Sequence, residues 1–344
     1  MGLANDRKGA HASEANGGAD GGPLRMLVWD GMPAAEALAV VAERVGVALD
    51  CEPIATNEQL EARLLAGERF DLITPSDFMI ERLAGRGLLT PLDPSLLPGR
   101  DALAPWVRRP PWDPQERWAV PLAFGTTGYL YDRDRLPGAG GWRALLAPPA
   151  GVTVGLLDEP REVIGAALLA VGERFEATGA AALARARELL LAQAAAGAYA
   201  RRDSGDFVTP VRDGSVAAHH AWGGAAAAAV RAEPRRLAYA VPQEGVVVWV
   251  TTVAIAAGCA RPGLAHAAIA ALLDPQVARL NVERAGHATP NAAAQALLPP
   301  QLRDDPVLFP PAAVLERRLT VRDLDADAAA RIDALWAELV AAVG

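Results

Sequence analysis

The chain has 344 residues, of which 51% are hydrophobic and 22% charged, with a formal net charge of -8. That length exceeds the usual size of one hydrophobic core and predicts two, in a protein of ordinary globular composition. The acidic balance argues against nucleic acid, which needs concentrated Lys and Arg. Lys8, the only lysine, removes P-loop, Schiff-base and kinase-type lysines from the folded part.

In chain order, residues 1–23 are rich in Gly, Ala, Asn and Asp and are expected to be disordered. They hold no apolar stretch of the kind a signal peptide uses. LRMLVW (24–29) reads as a buried strand. Pro33 opens an amphipathic helix, AAEALAVVAERV, which Gly46 stops. A strand begins at 47–49, Asn57 is expected to cap a helix over 58–67, and RFDLITPS (69–76) reads as a further buried strand ending in a turn. This alternation predicts α/β architecture with a largely parallel sheet.

Residues 91–118, rich in Pro, Trp and Arg, read as a long loop with short turns. WAVPLAFGTTGYLYD (118–132) reads as strand, kink at Gly125, strand, and the kink is the expected hinge. GVTVGLLDEPREV (151–163) repeats the strand-to-helix pattern, and 166–198 reads as strongly helical. SVAAHHAW (215–222) and VVVWVTTVAIAA (246–257) read as strands, and the chain from Pro262 as largely helical. The run 246–260 is too short and too β-branched to cross a bilayer as a helix.

Several chemistries lack support. His219 and His220, adjacent on a strand, point to opposite faces and cannot chelate one metal together. Cys51 and Cys259 form no CxxC pair; two free thiols are expected, with a disulfide between them as the alternative. GTTG (125–128) is too short for a dinucleotide fingerprint, and Ser204 lacks a nucleophile elbow. Glu159 and Glu162 admit an acid/base reading as in glycosidases; their structural alternative is favourable charge at a helix start.

Seven segments in order carry a resemblance: LVWDGMP (27–33), FDLITPSDF (70–78), WAVPLAFGTTGYLYD (118–132), LLDEPREV (156–163), AAHHAWGG (217–224), YAVPQEGVVVWVTTVAI (239–255) and GHATPNAAAQALL (286–298). Together they resemble the spermidine/putrescine-binding proteins of bacterial ABC importers, over nearly all of the chain after residue 24. The resemblance implies a two-lobed α/β fold of the periplasmic-binding-protein kind, each lobe a mostly parallel sheet flanked by helices, with a hinge and an interlobe ligand cleft. The implied lobes are 24–124 with a return at 251–297, and 125–250 with C-terminal helices at 298–344.

In that family, aromatic faces cover the ligand's methylenes and carboxylates pair with its ammonium groups. The matching positions are Trp29, Trp222 and Trp249 for the faces, and Glu159 and Glu162 for the ammonium. Asp30, Ser76 and Asp77 match the polar edge, Asp77 being alternatively a helix cap. The chain departs from the pattern at Thr251, where the family carries an aspartate, and at Met32, Phe78 and His287, where it carries aromatics. Arg322 falls where an amide is expected. Loss of a carboxylate and gain of a guanidinium suit a carboxylate-bearing ligand. The implied role is therefore that of a non-enzymatic, extracytoplasmic, monomeric receptor that presents a polyamine, or another small cationic or zwitterionic solute, to a membrane permease. It implies no cofactor. A cleft enzyme or a ligand-sensing partner of a membrane receptor are the alternatives.

Overall fold

A computed structural model of the chain describes residues 21–319 and 321–343. The expected disorder of the N-terminal tail concerns residues 1–20, which lie outside the described residues. Gly22 and Pro23 are held: their carbonyls accept hydrogen bonds from Arg261 at 2.7 and 2.8 Å.

The first half of the chain forms β1 (Leu24–Trp29), α1 (Ala35–Val45), β2 (Leu49–Ile54), α2 (Asn57–Leu65), β3 (Leu72–Ile73), α3 (Met79–Gly85), β4 (Leu89–Thr90) and the long β5 (Ala119–Asp132). Gly46 closes α1 at φ 73°, its N–H reaching Ala42 O, as its lack of a Cβ permits. The cap of α2 is Thr56, not Asn57. The Thr56 hydroxyl accepts from Gln59 N, and the Gln59 side chain accepts in return from Ala55 N, a reciprocal arrangement that satisfies two otherwise free donors. Asn57 is thereby released for other work. The strand expected over 69–76 pairs regularly only at Leu72–Ile73. The expected kink at Gly125 is absent: β5 is continuous, and its one irregularity lies where the register slips opposite Thr251 and Thr252.

The chain continues through α4 (Trp142–Leu146), β6 (Val154–Leu156), α5 (Pro160–Ala170), α6 (Ala180–Ala195), β7 (Tyr199–Arg202), α7 (Thr209–Arg212), β8 (Ala218–Trp222), α8 (Gly223–Ala232), β9 (Leu237–Ala240) and β10 (Val246–Ala256). The helix expected over 166–198 is thus two helices, interrupted around Gly172, whose φ of 81° does not belong to a right-handed helix. Helices α9 (Pro262–Leu273), α10 (Pro275–Ala285), α11 (Ala292–Ala296), α12 (Pro300–Arg303) and α13 (Ala312–Leu315) follow, then β11 (Arg318–Leu319) and α14 (Ala326–Val343). No helix among the described residues is long and apolar enough to cross a membrane.

The strands join in the order β2-β1-β3-β10-β5-β8-β6-β7. At one end β1 runs parallel to β2 and β3; at the other β6 runs parallel to β7 and β8. Between them β5 and β10 pair antiparallel from Val247–Thr127 to Ala254–Ala119. Apolar cores follow this division. One, with Met26, Leu72, Val253 and Ile269, packs α1 and α9 on the β1 end. Another, with Tyr129, Val154, Leu168, Leu190 and Leu335, packs α5, α6 and α14 on the β6 end. A smaller cluster of Phe124, Val246, Val248, Val250 and Ala288 covers the middle of the two long strands.

His219 and His220 are both fully buried in β8 and face opposite ways, His219 towards Phe207 and His220 edge-on to Trp142 at 5.1 Å. Burial holds both rings neutral, with pKa values pushed down to about 4 and about 3. The unfolded chain takes up these protons first, so each histidine removes stability as pH falls below about 6.5, roughly 2 kcal/mol each at pH 5. Buried carboxyls with raised pKa act in the opposite sense, so the test is a difference. Thermal melts of wild type and His220→Phe between pH 7.5 and 4.5 should show a smaller acid loss in the variant. Parallel curves would contradict the assignment.

Candidate functional site

The middle of β5 is the segment GTTG, and each of its residues positions something. Trp249 pairs with Gly125 across the ladder, and its ring lies against that glycine: a Cβ there would stand 2.2 Å from Trp249 Cζ2. Thr126 meets the Tyr239 hydroxyl at 3.2 Å. Thr127 sits between Val247 and Trp222 in the ladder, and its hydroxyl donates to Glu162 Oε1 at 3.0 Å. His287 meets the Trp249 ring edge-on at 5.4 Å and packs against Gly224, where a Cβ would stand 2.6 Å from His287 Nδ1. Trp222, which ends β8, packs edge-on to Phe207 at 6.0 Å.

Helix α5 begins at Pro160, so Glu159 is its N-cap and Glu162 stands in its first turn. Pro at this position fixes the helical φ and has no N–H to leave unsatisfied. Burial pushes the Glu162 carboxyl up to about 7, with the Thr127 hydroxyl and the Trp222 indole partly offsetting it. Its Oε2 is buried without a partner among the described residues. Glu159 is also raised to about 7, first by burial and then by the charges of Glu162, Glu58 and Asp158. Glu58 opens α2, so the start of α2 faces the start of α5.

Trp29, Ser76 and Thr251 stand at one end of the sheet. Leu27 pairs with Ile73 and Ile73 with Ala254, which brings the carboxyl ends of β1 and β3 level with residues 251–252 of β10. Ser76 bridges Thr251 directly, and Asn57 clamps Ser76, accepting its N–H and donating to its Oγ, both at 3.0 Å. The turn after Trp29 closes with Met32 N donating to Trp29 O at 3.0 Å, with Gly31 at φ 69°. This leaves Asp30 exposed. The indole N–H groups of Trp29 and Trp249 and the Nδ1 of His287 are buried without partners among the described residues.

Asp77 takes a different direction. Its carboxyl accepts from Phe78 N at 3.0 Å and lines a small cavity with Trp106, Trp112, Val248 and Val250, whereas Trp249 and Thr251 alternate onto the other face of β10. Burial raises it to about 7. Phe78 lies under the Arg161 guanidinium at 4.8 Å, while Glu81 pairs with Arg322 at 3.2 Å and Arg82 with Asp323 at 3.6 Å. These join α3 to α5 and to the segment before α14. Cys51 and Cys259 are free, Cys259 donating to Asp71 at 3.2 Å.

Sequence reasoning missed Thr127, Gly125, Asn57 and Arg161. The sequence reads Gly125 as a kink; a glycine in an apolar strand is equally the signal for a close approach.

The chain is similar over most of its length to known proteins. A family model described as bacterial extracellular solute-binding protein matches residues 62–318. Spermidine/putrescine-binding periplasmic protein 1 of Haemophilus influenzae is 29% identical over 282 residues, covering 80% of this chain and 77% of that one. The putrescine/cadaverine-binding protein of Pseudomonas aeruginosa is 28% identical over 332 residues, covering 92% and 93%. Among solved structures, the spermidine/putrescine ABC transporter substrate-binding protein PotD of Streptococcus pneumoniae superposes with a TM-score of 0.83 at 23% identity, covering 94% of this chain and 100% of that one.

Among the described residues the Thr127 hydroxyl is the one side-chain hydroxyl donating to Glu162, so Thr127→Val should raise the Glu162 pKa above its value of about 7. Carbon-13 NMR of labelled glutamate side chains measures this; an unchanged titration would contradict the assigned contact.

Proposed function

The chain belongs to the bacterial extracellular solute-binding proteins, and we propose that it is the substrate-binding component of an ABC importer for a small amine. The observation that carries this reading is Glu162, buried with one oxygen satisfied and one free, beside Glu159 and the Trp222 indole. An unpaired buried carboxylate is costly, and an ammonium group supplies the missing donors and the opposite charge together. Indole faces suit the methylenes and the cation.

In this reading the chain forms two lobes, 24–124 with 251–297, and 125–250 with 298–344, hinged on β5 and β10. The separate cores on either side support that division. Ligand contacts from both lobes favour the closed form, which is offered to a membrane permease. The protein acts as a monomer outside the cytoplasm and performs no covalent chemistry.

Calorimetric titration and thermal melting with putrescine, spermidine and a panel of amino acids test the proposal. A ligand at 100 times its Kd should stabilise the fold by about 2.7 kcal/mol. Glu162→Gln should weaken binding about 10- to 100-fold, the loss of a charge-assisted hydrogen bond. Absence of any shift with every amine would overturn the reading.

Affinity should also depend on pH in a fixed direction. Below pH 7 the carboxyls of Glu159 and Glu162 hold protons that must leave before they pair with a cation. Binding should therefore strengthen as pH rises from 5 to 7 and level off above, with up to about two protons released at the acid end. Titration in buffers of different ionisation enthalpy counts them; proton uptake on binding would contradict the assignment.

A further inference from the structure

The site has two chemically different ends. Glu162 and Glu159 mark one, at the level of Thr127 and Val247. Thr251 marks the other, four residues further along β10, about 13 Å away at strand spacing. At that second end the groups on offer are donors. Trp29 carries a buried indole N–H without a partner among the described residues. The Ser76 hydroxyl accepts from Asn57 and so keeps its own hydrogen to donate, next to the neutral Thr251. Among the described residues the nearby carboxylates lie apart from these donors: Asp30 is exposed on the turn after Trp29, and Asp77 lines the cavity with Val248 and Val250, on the face of β10 opposite Thr251.

A second ammonium placed there would meet N–H and O–H groups with no negative partner, a buried charge facing donors. A carboxylate would accept several of those hydrogens at once, the arrangement that stabilises a buried anion. We propose that the ligand is a short ω-amino acid, its ammonium at Glu162 and its carboxylate received by the Trp29, Ser76 and Thr251 donors. Side chains reaching inward from both ends leave room for about four to six carbons. This rests on the reading of the site as an amine receptor and goes beyond it by specifying the other end of the solute.

The test is calorimetric titration of the full chain, dialysed from denaturant and refolded, with 4-aminobutyrate, 6-aminohexanoate, putrescine and cadaverine. The expected result is an ω-amino acid bound at least tenfold tighter than the diamine of similar length. A diamine bound equally or more tightly would overturn the inference and leave the amine-importer reading intact. No binding of any of the four would overturn both. Thr251→Asp should reverse the order, weakening the amino acid and strengthening the diamine at least tenfold each; an unmoved ratio in folded variant would contradict the proposal. Trp29→Phe keeps an aromatic face, though a smaller one, and removes the N–H. It should weaken the amino acid severalfold more than the diamine, and equal losses for both would count against the assignment.

Discussion

A carboxylate buried with half of its hydrogen-bonding capacity unmet is the constraint around which this molecule is arranged. Glu162 receives the Thr127 hydroxyl on one oxygen and has the Trp222 indole beside it, while its Oε2 is buried without a well-formed hydrogen bond among the described residues. In water both oxygens would be fully solvated, so burial shifts the group towards its neutral form, to a pKa of about 7. Such an environment is unfavourable for an anion alone and favourable for an anion with a cation. The helix start that carries Glu162 also carries Glu159, raised by the same burial and by its acidic neighbours. The fold thus holds negative charge in reserve at a point lined by tryptophan.

The position of that point follows from the two long strands. β5 and β10 share a ladder from the β6 end of the sheet to the β1 end, so residues from both ends can be set against the same stretch. Gly125 makes this possible locally, since any side chain there would displace the Trp249 ring. Around the rim, Glu81–Arg322 and Arg82–Asp323 link α3 to the C-terminal segment. Their side chains are partly solvated, and such pairs contribute about 0–1 kcal/mol each. They add little to holding these elements together.

Much of the architecture was legible because it depends on local pattern. A short apolar run, Pro33 and Gly46 specify β1 and α1, and Pro160 with Glu159 specifies the start of α5. Longer-range features were less visible. A clamp between Asn57 and Ser76 depends on strand register, so Asn57 looked like a cap until Thr56 was seen to take that role. The Ala/Leu-rich stretch from 166 to 198 has helical composition throughout, which masks the break near Gly172. The carboxylates and tryptophans of the site stood out as residue types; the hydroxyl of Thr127 did not, because threonine in a strand is ordinary. The direction of Asp77 depends on which edge of β10 it meets, and composition carries no such information.

The central claim is that the free oxygen of Glu162 is completed by a ligand cation. A crystal structure of the protein purified without added solute, carrying whatever it retains from its host, tests this most directly. The account predicts density between Trp222 and Trp249 with a nitrogen about 3 Å from Glu162 Oε2. A Glu162 carboxyl completed by water or a protein donor, with any retained solute bound elsewhere, would contradict it.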